Sequence, residues 1–226
     1  MTISSRHPAR AEALDPEDRA RIAQQIRRRG GYYFPSSKTK ASVACVTTLH
    51  RDLACHLEVD AAISGFEAYP ERVVHSVGGE LRTHIPAFRA VGRGRTYMLD
   101  VVQDDDDAAA ADGEFADLLR AFYEERGILY RTLSSEFVRR RPVFDNVREV
   151  LSARGFEPAR TTASAIVLAL TRMGETTLGE LVLELAGREH VRLVVLALVL
   201  RRRLKLDLTA ADLSLATVSL GKGAVA

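Results

Sequence analysis

The sequence predicts an α/β protein: a mixed sheet flanked by helices, followed by a smaller, mostly helical C-terminal module. Three observations carry this. The middle of the chain runs helix, three strands, helix, strand, helix, with Gly- and Pro-containing turns between. From Thr161 the strand signals give way to three helical stretches in close succession. And 226 residues, 46% apolar and 27% charged, suffice for one large domain or two small ones with a buried core.

Residues 1–14 carry no periodic signal and are expected to fray. In "LDPEDRARIAQQIRRRGG", Asp15 suits a helix N-cap, Pro16 the first helical position, and Glu17 and Asp18 the positive end of the dipole. Gly30-Gly31 stops that helix. Residues 1–30 thus form a basic arm, charged by Arg19, Arg21 and Arg27 to Arg29. In "SVACVTTLHRDLACHLEVD", Val46, Leu49, Leu53 and Leu57 recur at helical spacing and predict a second helix.

Val73, Val74 and Val77 before Gly78-Gly79, with "LRTHIPAF" after, predict a hairpin. "GRGR" is the next turn, and "TYMLDVVQ" an apolar strand for the sheet centre. "GEFADLLRAFYEERG" is an amphipathic helix with Phe115, Leu118, Leu119 and Phe122 on one face. "ILYRTLSS" is a further strand, and 135–154 returns to helix, broken around Pro142. These elements make an α/β domain over 31–158, its antiparallel hairpin feeding a crossover helix.

The C-terminal module spans 159–226, with the boundary near Gly155 to Arg160. "TTASAIVLALTRMG", "TTLGELVLELAG" and "REHVRLVVLALVLRRR" are helices, the second with Thr177 and Glu180 placed as a capping box. "LKLDLTAADLSLATVSL" supplies two short strands. Three helices and a hairpin is a winged-helix pattern. A winged helix that reads bases presents a polar helix to the major groove. Here every residue from Val194 to Leu200 is apolar, so the module is better suited to protein contact. A domain this small buries only about 60% of its surface, so a homodimer or a fixed interdomain contact is expected to cover the rest of that helix.

The net charge is only +2, but arginine is clustered in three triplets: Arg27-Arg28-Arg29, Arg139-Arg140-Arg141 and Arg201-Arg202-Arg203. Such patches suit phosphate, or simply end helices in solvent. Acid collects at Asp104 to Asp107, with Asp112, Glu114 and Asp117 behind. That run would repel DNA phosphate or loosely gather divalent metal; the plainer alternative is a solvated loop before a helix N-terminus. Two cysteines, Cys45 and Cys55, without zinc spacing or a signal peptide fit a reducing cytoplasm. The longest apolar run, Leu193 to Leu200, falls far short of the roughly 20 residues of a membrane span, so no membrane partner is expected.

Several ordered motifs then point to a family. "HLEVDAAISGFEAYPERV" is a helix end, acidic linker and strand. "THIPAF" is similar to an h-x-P-D-F strand, and "YMLDVVQ" to an l-i-E-V-K strand. "ILYRTLSSEFVRRRPVFDNVREVL" follows as strand and helix. From about Ser37 to Arg154 the chain resembles the catalytic domain of TnsA-type transposon endonucleases, a restriction-endonuclease-like fold. That family also carries a C-terminal winged-helix-like domain.

The resemblance implies a site with a glutamate on the first helix, an aspartate after the proline, and a carboxylate or glutamine two residues before a lysine. The carboxylates hold Mg²⁺, which polarises phosphate and activates water, and the lysine stabilises the developing charge. In this chain those positions are Leu49 or its neighbour His50, Ala87, Asp100 and Val102. Asp100 alone keeps a metal-binding side chain, and it is a poor Mg²⁺ site by itself.

The expectation is therefore a catalytically silent protein without a cofactor. It binds DNA through arginines with little sequence preference, or joins a DNA-processing, transposition or recombination assembly at the nucleoid. Two alternatives stay open. One is an active Mg²⁺-dependent endonuclease with a rearranged site from His84, Asp100 and Glu58 or Asp60. The other is a protein–protein adaptor without DNA binding. Asp100 could equally be a structural residue at a strand end, bonded to a neighbouring N–H or to Arg95.

Overall fold

The computed structural model describes residues 9–28, 30–77, 80–103 and 106–221, with the backbone alone for 77 and 106–114. The architecture is mixed α/β. It divides into two compact units, one of residues up to 57 with 62–138, the other of 58–61 with residues from 139 onward. The division falls at Val138/Arg139, where the sequence places it near Gly155 to Arg160.

The first unit contains β1 (Arg10–Glu12), α1 (Pro16–Arg28), β2 (Tyr32–Ser36), β3 (Ala41–Cys45) and α2 (Thr48–Val59), whose last turn is grouped with the second unit. It continues with β4 (Ile63–Ala68), β5 (Arg72–Val77), β6 (Glu80–His84), β7 (Phe88–Gly92), β8 (Arg95–Val102), α3 (Asp106–Glu124) and β9 (Ile128–Ser134). α4 (Ser135–Arg139) crosses into the second unit. There follow α5 (Val143–Ser152), α6 (Arg160–Met173), β10 (Thr176–Thr177), α7 (Leu178–Glu184), α8 (Val191–Leu200), β11 (Leu204–Leu206) and, after a 3-10 turn at Leu213–Leu215, β12 (Thr217–Leu220).

The main sheet of the first unit has the order β4-β7-β8-β9. β4, β7 and β8 pair antiparallel, and β9 lies parallel to β8 because α3 carries the chain back across the sheet. The turn at "GRGR" is built from Arg93 at φ 51° and Gly94 at φ 72°, the two left-handed residues a tight hairpin turn demands. Gly92 has a separate reason to lack a side chain: a Cβ there would collide with the Ala62 carbonyl oxygen. A second sheet, β1-β5-β6, shares a core with α3 through Val73, Met98, Leu119, Tyr123 and Tyr130.

Asp15 caps α1 as its position predicts: the Asp18 amide donates to its Oδ1 at 2.8 Å. The Gly31 amide reaches back to the Ile26 carbonyl at 2.6 Å and closes the helix. Arg10 to Glu12, expected to fray, instead pair with β5, and Arg72 explains why. Its guanidinium binds Glu12 at 2.6 Å and Asp18 at 3.1 Å, and also Asp15, tying strand and helix to β5.

Other expectations need correcting. Residues 42–45 form strand β3, paired with β2, and α2 starts only at Thr48, with Thr47 accepting the His50 amide at 3.1 Å. Tyr, Phe, Val and Cys alternate in and out along this hairpin, a period-two signal that the leucine repeat downstream overshadowed. "LRTHIPAF" is not one strand: β6 ends at His84, and β7 begins at Phe88 in the other sheet. Gly78-Gly79, Asp104 and Asp105 lie outside the described residues, as does Arg29. From Asp106 the backbone is already helical, so Asp106 and Asp107 are not loop.

The second unit is built around α8. α5, α6, α7 and β11 pack on it, and Val194 to Val199 are all buried. Leu193 and Leu200 are half-buried, and part of the cover comes from α5, which the sequence reading assigns to the α/β domain. α5 also anchors the segment before β12: Asn146 Nδ2 donates to the Leu208 and Ala210 carbonyls at 2.9 and 2.8 Å. The sheet order is β10-β12-β11, and α7 carries the capping box between Thr177 and Glu180.

Candidate functional site

Asp100 stands on β8, the strand between β7 and β9, and is 8% exposed. Three donors converge on its carboxylate. The Ala87 amide donates to Oδ1 at 2.8 Å. The Tyr130 hydroxyl donates to Oδ2 at 2.7 Å, and His84 Nε2 lies 2.7 Å from the same oxygen. Topology delivers each partner. The chain leaves β6 at His84 and enters β7 at Phe88, so 85–87 pass across the end of the sheet and turn the Ala87 amide onto Asp100. The parallel register sets Met98 against Tyr130 and Asp100 against Thr132, which puts Tyr130 on the face of Asp100. Thr132 Oγ1 in turn donates to Tyr130 at 3.4 Å. With Asp100 ionised, its bond to His84 requires the proton on Nε2.

A second polar group lies at the opposite face. Phe88 pairs with Leu99, so both point away from Asp100. His50 of α2 meets Phe88 edge-on at 6.2 Å between centroids. The Tyr69 hydroxyl sits 3.3 Å from His50 Nδ1 and accepts the Val46 amide at 2.9 Å. Tyr69 has φ 52°, a left-handed conformation that is uncommon for a bulky residue, and its amide donates to the Ala87 carbonyl at 3.0 Å. Burial pushes His50 down, opposed by the charge of Asp100, and burial pushes the Tyr69 phenol up. Both rings are therefore neutral near pH 7.

Of the positions singled out by sequence, Ala87 and Asp100 are brought into direct contact, and Val102 shares the face of Asp100 two residues on. Leu49 does not join them: it is 1% exposed in the core under α2. Asp100 is bonded to a neighbouring N–H rather than to Arg95, which stands at the far end of β8. Of the rearranged trio, His84 and Asp100 meet. Tyr130 was missed by sequence, since only the β8–β9 register brings it to Asp100.

These residues do not fit Mg²⁺. Asp100 is the one carboxylate at these positions, and its two oxygens already accept from three protein donors, a poor ligand set for an octahedral ion that takes one or two carboxylates with water and phosphate. Among the described residues no cluster of three or more His, Cys, Asp or Glu side chains has the spacing of a metal site. Cys45 and Cys55 are buried thiols, and burial pushes Cys45 up to about 12, far from a reactive thiolate.

The arginine triplets differ in their surroundings. Arg27 and Arg28 are exposed at the end of α1. Arg139, Arg140 and Arg141 are exposed, with Arg141 Nε 3.2 Å from Asp145. Arg201 is engaged at the end of α8: it donates to the Ala197 and Phe156 carbonyls at 3.2 and 3.0 Å and to Glu157 at 2.9 Å. Arg202 and Arg203 are half-buried.

No family model and no curated protein matches this chain. Among solved structures it is similar to the crystal structure of protein VC1899 from Vibrio cholerae, at 11% identity and a TM-score of 0.24. The match covers 55% of this chain and 36% of that one, so this chain spans about a third of its length, and a superposition of that quality does not define a shared fold. Among the described residues no helix is long and apolar enough to cross a membrane.

Proposed function

We propose that this is a catalytically silent, nuclease-like protein that binds DNA, or a DNA-bound assembly, through exposed arginines. The observation that carries the reading is the state of Asp100. In the TnsA-type family the chain resembles, the carboxylate at this place faces metal and phosphate. Here it is closed off by Ala87 N–H, His84 and Tyr130. Ala87 and Val102 offer neither a second carboxylate nor a cation, so water activation and charge stabilisation both lack their groups. Further support comes from the order of elements around β7, β8, α3 and β9, which suits a restriction-endonuclease-like core. The run α6, β10, α7, α8, β11, β12 suits a winged helix.

In that winged helix α8 takes the recognition position, yet it is buried and apolar, so base edges are not read through it. Binding then rests on phosphate contacts. Among the described members of the triplets, Arg27, Arg28, Arg139, Arg140, Arg141 and Arg201 are exposed, and Arg201 is already held by Ala197, Phe156 and Glu157, which leaves five for phosphate. Five phosphate contacts correspond to a slope of log K against log salt of about −4 to −5. Fluorescence anisotropy on duplexes of unrelated sequence checks this, with equal affinities expected at each salt concentration. Replacing Arg139, Arg140 and Arg141 by Ser should flatten the slope by about 3. Affinity indifferent to salt contradicts the reading. Exposed Leu168, Leu183 and Leu215 favour a second reading, a protein contact on the C-terminal unit. Self-association without any DNA binding would replace the first reading by this one.

A further inference from the structure

We infer that His75 is a proton-sensitive latch that holds the β5–β6 hairpin on α3 and so keeps the Asp100 cluster closed. His75 lies on β5, is 4% exposed, and its Nδ1 is buried without a hydrogen-bond partner. The ring stacks on Phe115 of α3, with centroids 4.5 Å apart and planes tilted by 32°. His84, on β6, meets the same phenyl ring edge-on at 5.2 Å, while its Nε2 holds Asp100. One phenyl ring of α3 therefore seats both imidazoles of the hairpin, and one of the two is a wall of the Asp100 site.

A neutral imidazole tolerates this seat. An imidazolium does not, because it gains a second N–H at the buried Nδ1, which has no hydrogen-bond partner. Among the described residues the surrounding charges offer no relief. Arg82 is the cross-strand partner of His75, and His84 stands diagonally across on the same face. Asp100 lies beyond His84 with both oxygens already accepting, and among the described side chains of α3 it is Phe115 that meets the ring. Burial, and after it His84 and Arg82, push His75 down from its ordinary value.

The sign follows. Docking of the hairpin is fully present above the unfolded value of about 6.5 and weakens as pH falls below it, toward the lower folded value. Each pH unit in that window raises the undocked population by up to about tenfold. His50 is also pushed down by burial, but it packs on Phe88 at the other face of the sheet. Its protonation would loosen α2 rather than the hairpin.

Hydrogen exchange read by mass spectrometry on the full chain tests the latch. Between about pH 7.5 and about pH 5.5, after correction for intrinsic exchange, protection over 72–76, 80–84 and 115–124 should drop severalfold, by at most about tenfold. Peptides of the second unit should hold. His75→Gln and His75→Phe are neutral at every pH, and whatever they cost in stability, protection over the same peptides should change less than about twofold across that interval. Wild-type protection that is equal at both pH values overturns the proposal. So does an acid loss in either variant that matches the wild type. Neither outcome depends on whether the protein binds DNA.

Discussion

Asp100 meets three donors while almost wholly buried, so its removal should be felt through the partners it leaves behind. Asp100→Ala strands a backbone N–H, a phenol and an imidazole, and should cost about 3–5 kcal/mol. Tyr130→Phe removes one donor and fills the same volume, and should cost about 1.5–3 kcal/mol, as expected for a hydrogen bond to a charged group. Urea unfolding monitored by near-ultraviolet circular dichroism measures both. A loss below about 1 kcal/mol for Asp100→Ala would show a carboxylate that is not structural. Part of this site was legible in sequence. Ala87 and Val102 read directly as apolar side chains where the resembled motif carries an aspartate and a lysine. The donors were not legible, because each depends on chain crossings: the passage of 85–87 between two sheets, and the parallel register of β8 and β9. His75 gave no signal at all, since its surroundings come from a helix 40 residues away.

Elements with their own start and stop chemistry were readable in advance. α1 begins after its Asp15 cap, and α7 carries the capping box formed by Thr177 and Glu180. Thr177→Ala should cost about 1 kcal/mol, visible as a shift in thermal midpoint. The β2–β3 hairpin was lost because its alternation runs straight into the leucine repeat of α2, and one apolar stretch was assigned a single period. α8 reads in sequence as a helix that cannot face water, to be covered by a homodimer or a fixed interdomain contact. Its own unit covers most of it, through α5 and β11 as well as α6 and α7. Leu198 is fully enclosed there, and Leu198→Ala should cost about 2–5 kcal/mol by leaving a cavity. If the cost is below about 1 kcal/mol, the packing around α8 is looser than described.

At the scale of the whole molecule, a net charge of +2 conceals separated clusters of arginine and aspartate, and the proposed reading gives phosphate to the exposed arginines. In the first unit the Asp100 carboxylate is enclosed by protein donors. In the second unit the central helix α8 is apolar and largely buried. On the proposed reading, phosphate binding stays while the chemistry and base readout that would accompany it are lost. The most direct measurement is nicking of supercoiled plasmid by the purified full chain with Mg²⁺ and with Mn²⁺, beside Asp100→Ala and Asp100→Asn. The account predicts that the plasmid remains supercoiled in every lane. Metal-dependent nicking by the wild type that disappears in Asp100→Asn would contradict it.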